Sequence, residues 1–229
     1  MLTPLQEEVA AVIAALAEAK DFALAGGAAL IMREQIERGT RDLDFFGLSA
    51  AAVDRLVPAA EQALRRSGFD VERVLSGTGF ARLVVQGFGE QTEVDLAADA
   101  RLFPAELGRA GIPLLSSEEL AVDKVLAVFG RAEARDFIDL MAMEAQFDLG
   151  RLFTLAAEKD RGFDPRVFAD MVRRVSRLSR SEFPIDDQTY EKLEQVVKRW
   201  RDRALEISRE QSRRGGEERD RGPDTGLSP

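Results

Sequence analysis

The chain has 229 residues, 45% of them hydrophobic, and its 41 acidic and 32 basic side chains leave a formal net charge of −9. It contains no cysteine and no histidine, which excludes disulfides, thiolate zinc sites and the commonest general base, so any catalysis must run on carboxylates, Lys, Arg, Ser or Thr with hard, oxygen-preferring metals. No apolar run approaches the roughly 18 residues of a membrane span, and the acidic balance argues against generalised nucleic-acid binding while leaving room for a local basic patch.

The opening stretch "MLTPLQEEVAAVIAALAEAKD" carries Glu7 and Glu8 ahead of its apolar face and lacks a basic start. It therefore reads as an amphipathic helix and not a signal peptide, which points to a soluble, cytoplasmic protein with no membrane partner. "DFALAGG" follows as a short buried strand ending in a turn, and "AALIMREQIERG" as a helix stopping at Gly39. "TRDLDFFG" is the second strand. Apolar positions at Val53, Leu56, Val57, Ala60 and Leu64 predict a helix that ends near Gly68. Three strand-like runs come next, "FDVERVLS", "FARLVVQGF" and "QTEVDLAAD", divided by the turn signals "GTG" and "GFGE".

From Ser116 the pattern turns helical, opening on Ser116 and Glu119 at the spacing of a capping box. Further helices are expected around 132–146, 149–159, 165–181 and 187–211, and the polar stretch 212–229 reads as a disordered tail. The expected fold class is thus α/β (α+β): a small mixed-sheet domain with an N-terminal helix over 1–115, then a helical part over 116–211.

Alternation in "RDLDFF" puts Leu43 and Phe45 on one strand face and both Asp42 and Asp44 on the other. Two like charges a residue apart need a cation or open solvent, so the pair is either a metal site or a solvated strand end. In "QTEVDLAAD" the same alternation places Glu93 with Asp95. If the two strands are neighbours, three carboxylates meet at one sheet edge, a site suited to magnesium and a substrate triphosphate. Gly26 and Gly27, without side chains, would let backbone N–H groups approach phosphate at the start of the next helix. Lys124 follows on a helix with Leu120, Val125 and Val128, where its ammonium group would suit a triphosphate or simply join two parts of the chain. Arg131 and Arg135 could pair with phosphate or with Asp139. Arg166, Arg173, Arg177 and Arg180 recur at helical spacing, either as a stripe along a nucleic-acid backbone or as a solvated face. Phe45 and Phe46 could stack on a base or pack in the core.

"LAGGAAL", "RGTRDLDFF", "EVDL" and "AVDKVLAVFGRAEARDFIDL" together resemble the nucleotidyltransferases of the AbiEii/AbiGii toxin family, a branch of the DNA polymerase β-like superfamily. That resemblance implies an enzyme moving a nucleoside monophosphate from a nucleoside triphosphate to an acceptor hydroxyl. It implies a magnesium site of two ions, with manganese as an alternative, held by Asp42, Asp44 and Asp95, the last also serving as base. Gly26 and Gly27 match the glycine motif, while Lys124 and Asp139 match the later lysine and aspartate, with Asp136 competing for the second place. Lys124 and Arg131 would join the glycines in binding the nucleotide. Transfer RNA as acceptor and a cognate antitoxin, in a type IV toxin–antitoxin system, are further implications. Two rival readings stay open: a small-molecule acceptor of the antibiotic type, or a non-catalytic nucleotide- or partner-binding module.

Overall fold

The computed structural model describes the backbone of residues 1–220 and the side chains of residues 1–213. The chain divides into two compact units, Met1–Asp123 and a second beginning at Lys124.

The first unit opens with α1 (Pro4–Ala14), capped by Thr3 in a box with Gln6, and buries Leu5, Val9 and Ile13. Then come β1 (Ala23–Ala25), α2 (Gly26–Met32), β2 (Asp42–Gly47) and α3 (Ala50–Arg66). After them run β3 (Asp70–Gly77), β4 (Phe80–Gly87), β5 (Glu90–Ala98) and two short strands, β6 (Glu106–Leu107) and β7 (Pro113–Leu114). The seven strands form one sheet in the order β3-β4-β5-β2-β1-β7-β6. It is mixed, with β2 parallel to β5 and β1 parallel to β7 among antiparallel neighbours. On one face Leu43, Phe45, Leu83, Val85, Val94 and Leu96 are buried, and α1 and α3 pack over β5 on that side. The opposite face carries the acidic residues of β2 and β5, which lie in the middle of the sheet and not at the expected edge.

α2 is shorter than the predicted helix to Gly39. Glu34 takes a left-handed φ of 59°, and the Gln35 N–H reaches the Leu30 carbonyl at 2.9 Å while the Glu34 N–H reaches that of Ile31 at 3.0 Å. This closure ends the helix without a glycine. The β6–β7 pair was not expected, because two-residue strands carry no readable alternation.

α4 (Ser117–Gly130) spans the division between the units. Within the first unit its Glu119 is fully buried and accepts the backbone N–H groups of Leu102 and Phe103 at 2.8 and 3.0 Å, anchoring the chain after β5.

The second unit contains α5 (Ala134–Met143), α6 (Leu149–Lys159), α7 (Pro165–Met171) and α8 (Asp187–Asp220). Its core contains Trp200 and Leu193 of α8 and a group of rings, Phe153 packing against Phe163 and Phe168 with centroids 5.1 and 4.8 Å apart. The predicted helix over 165–181 is broken: α7 gives way to a 3-10 turn at Val172–Arg177, and Leu178 is extended. The stretch from 212, expected to be disordered, begins inside α8, and 221–229 lie outside the described residues.

Candidate active site

The parallel register of β2 and β5 sets Asp44 opposite Asp95 and Asp42 opposite Glu93. The antiparallel register of β4 and β5 sets Arg82 opposite Asp95, and β1 brings Ala25 opposite Asp44. Directly paired residues share a sheet face. One row across four strands therefore reads Arg82, Asp95, Asp44, Ala25, and the chain then turns at once into Gly26.

That turn is built around Asp44. Gly26 has φ 58°, and a Cβ there would lie 1.9 Å from Asp44 Oδ2, so no other residue fits while the carboxylate keeps its place. A Cβ on Gly27 would lie 3.0 Å from Thr40 Oγ1 and 3.2 Å from Arg38 Nη2. The glycine pair thus makes room for Asp44, Thr40 and the Arg38 guanidinium. Thr40 Oγ1 donates to Asp42 Oδ1 at 2.7 Å. Gln6 Nε2 donates to the Thr40 carbonyl at 3.1 Å, and Thr92 Oγ1 donates to that of Arg41 at 3.0 Å, so α1 and β5 pin the entry to the acidic strand. Phe45 is buried, whereas Phe46 is half-buried on the carboxylate face.

Asp95 is already engaged. Arg82 grips it with Nε to Oδ1 and Nη2 to Oδ2, both at 2.7 Å, and reaches Glu93 with Nη1 at 3.2 Å. The hydrogen bond to Asp95 raises the Arg82 pKa above its ordinary value, with the charges of Asp95, Glu93 and Asp42 adding to it against opposing desolvation. Asp95 thus stands in an ion pair with Arg82, and among the described residues no group of three acidic side chains is placed to hold one ion. Asp42 and Asp44 do fit a divalent cation. They supply hard oxygens on one face beside a glycine cradle, and magnesium characteristically takes one or two carboxylates and completes its shell from substrate and water.

The second unit holds a buried charge cluster. Lys124 Nζ lies 2.8 Å from Asp139 Oδ2 and 3.7 Å from Asp136 Oδ1, all three side chains being almost wholly buried. Arg131 binds Asp136 through Nε and Nη2 at 2.8 and 2.9 Å. Arg135 pairs with Glu133 at 3.0 Å. The two candidate aspartates thus share Lys124, which lies nearer Asp139, while Arg131 binds Asp136. Lys124 is an internal counter-ion, not an exposed point charge.

Of the arginine stripe, Arg166 donates to Ser208 Oγ at 2.8 Å, and Arg180 folds back onto the carbonyls of Phe183 and Ile185 and over the Tyr190 ring. Arg173 and Arg177 remain exposed on the 3-10 turn, joined by Arg174. Sequence reading missed Thr40, Arg38 and Arg82, although the last lies on the polar side of an alternating strand.

A family model described as "Nucleotidyl transferase AbiEii toxin, Type IV TA system" matches residues 9–215. The chain belongs to the AbiEii nucleotidyltransferase toxin family. As a member of it, the protein is a nucleotidyltransferase of a type IV toxin–antitoxin kind. Among curated proteins none matches the sequence. Solved structures share the fold of this AbiEii-family chain. JHP933 from Helicobacter pylori has TM-score 0.54 and 17% identity, covering 96% of this chain and 99% of that one. A putative nucleotidyltransferase from H. pylori has TM-score 0.53 and 18% identity, covering 91% and 96%. MenT4, a nucleotidyltransferase toxin from Mycobacterium tuberculosis, has TM-score 0.62 and 17% identity, covering 89% and 92%. Among the described residues no helix is long and apolar enough to cross a membrane.

Proposed function

We propose that this AbiEii-family protein transfers a nucleoside monophosphate from a nucleoside triphosphate to an acceptor hydroxyl of RNA, transfer RNA being the favoured class, with Asp42 and Asp44 holding magnesium or manganese. The observation that carries this reading is the placement of both carboxylates on one sheet face against the turn at Gly26, where a Cβ would meet the Asp44 carboxylate. A divalent ion bound there would supply charge neutralisation at the α-phosphate and the leaving pyrophosphate. The chain's own part is positioning. Thr40 fixes one oxygen of Asp42, Gly26 gives Asp44 its place, and Arg38 sets a guanidinium at Gly27 where phosphate oxygens could be met. Phe46, half-buried on the same face, offers a ring to a base.

In the second unit, Lys124 holds Asp139 in place through their ion pair. Arg131 is about half exposed and oriented by Asp136, which suits it to a phosphate. The family's association with toxin–antitoxin systems supports a cognate antitoxin partner, and a cytoplasmic site of action is part of the same proposal.

Asp42→Asn and Asp44→Asn should each abolish label transfer from a nucleoside triphosphate to total transfer RNA while the thermal unfolding profile stays intact. Relief of like-charge repulsion can even raise the midpoint of the unliganded protein. Full metal-dependent activity in either variant defeats the assignment.

A further inference from the structure

We infer that Arg82 is a built-in counter-cation that withdraws Asp95 from metal coordination and so sets the metal affinity of the Asp42–Asp44 pair, an inference that rests on the site proposed above. Four carboxylates, Asp42, Asp44, Glu93 and Asp95, occupy paired positions on two adjacent strands. Strands in a sheet lie about 4.8 Å apart, and like charges directly opposite destabilise it. Arg82 is the cation that the sheet supplies against this repulsion. It stands directly across β5 from Asp95, satisfies both of its oxygens, and adds a contact to Glu93.

A metal drawing on Asp95 would compete, on both oxygens, with two charge-assisted hydrogen bonds of near-ideal length and with the guanidinium charge beside them. Those bonds are held in register by the β4–β5 ladder, and the pair is only partly exposed. The cheaper outcome leaves Asp95 with Arg82 and the ion with Asp42 and Asp44. Arg82 then acts as a positioning residue: it holds Asp95 aside and lowers the negative potential that the metal meets. Weak intrinsic affinity follows, and a triphosphate arriving with its own magnesium completes the site.

The test is Mn2+ affinity of the full chain, without nucleotide, measured by electron paramagnetic resonance titration. Arg82→Gln should release Asp95 and Glu93 and tighten Mn2+ binding tenfold or more. The double variant Arg82→Gln with Asp95→Asn restores the original net charge and removes the extra ligand, so its affinity should return to within about threefold of the parent. An unchanged or weaker affinity in Arg82→Gln would make the ion pair merely structural and overturn the inference. A double variant binding tenfold more weakly than the parent overturns it differently, by showing that Asp95 ligates the metal in the parent and Arg82 yields to it. Asp42→Asn serves as the control: if it leaves Mn2+ affinity untouched, the site reading fails and this inference with it, whereas a loss there alongside an unresponsive Arg82→Gln sinks the inference alone.

Discussion

Asp136 has its side chain fully buried. Desolvation is the largest single influence on it and pushes its pKa up, but the Arg131 hydrogen bonds, the Lys124 and Arg131 charges and the Glu133 N–H together outweigh that and leave it below the ordinary carboxylate range. The folded pKa is therefore lower than the unfolded one. Stability from this group is fully present above the unfolded value of about 3.9 and is lost as pH falls through the lower folded value. Asp136→Asn is expected to cost about 2 to 3 kcal/mol at pH 7, the scale of hydrogen bonds to a charged group. The difference from the parent should shrink steadily below about pH 4. Urea unfolding of both proteins from pH 7 to pH 2.5 measures it, and a difference that stays constant across the range would show that Asp136 carries no pH-linked stability. Sequence reading reached this cluster but could not divide it. Asp136 and Asp139 are three apart and share a helix face, and only the positions of Lys124 and Arg131 in space tell which cation each aspartate meets.

Elements were legible wherever their ends use the residues that such ends usually use. α3 closes on Gly68, with the Phe69 N–H reaching the Leu64 carbonyl at 3.2 Å, and that glycine marked the stop in the sequence. α2 closes with the same pattern of bonds, but its left-handed residue is Glu34, so the stop was invisible and the helix was read on to Gly39. A non-glycine residue in that conformation costs roughly 1 to 2 kcal/mol. Glu34→Gly should accordingly stabilise the protein, by about 0.5 to 1 kcal/mol after the added freedom of glycine in the unfolded chain is counted. The exposed ion pair it gives up with Arg109 is of a kind worth little. Chemical denaturation reads the change; a loss of stability would mean that Glu34 makes contacts outweighing its strain. The β4–β5 hairpin holds a related lesson. Its turn residues Phe88 and Gly89 have φ 53° and 76°, the two-residue turn that right-twisted strands favour. Counting outward from it pairs Arg82 with Asp95. The ion pair at the heart of the site was thus implicit in "GFGE", hidden because phenylalanine is a poor signal for a left-handed position.

At the scale of the whole molecule, a chain of net charge −9 repels a polyanion at long range, yet the proposed acceptor is RNA. Screening limits that repulsion to about 8 Å at physiological ionic strength, so local contacts decide whether RNA is held. The charge pattern read from the sequence had to be redrawn for this purpose. Arg166 and Arg180 are committed to Ser208 and to the Phe183–Tyr190 turn, because the helix that would have aligned the stripe ends at Met171. What replaces it is the 3-10 turn with Arg173, Arg174 and Arg177, all exposed and without an ion-pair partner among the described residues. Three cations left uncompensated in an acidic chain suit contact with phosphates. Changing Arg173→Gln together with Arg177→Gln should weaken transfer RNA binding. It should also flatten the dependence of log affinity on log salt by roughly 1 to 2 in slope, since two fewer counterions are displaced. Nucleoside triphosphate affinity should hold steady in the same variant, which separates loss of an RNA contact from damage to the catalytic face. Filter binding across a salt series reads the first quantity and calorimetry the second. RNA affinity and slope both equal to the parent's would make the turn an ordinary solvated surface, and the acidic net charge would then favour a small-molecule acceptor.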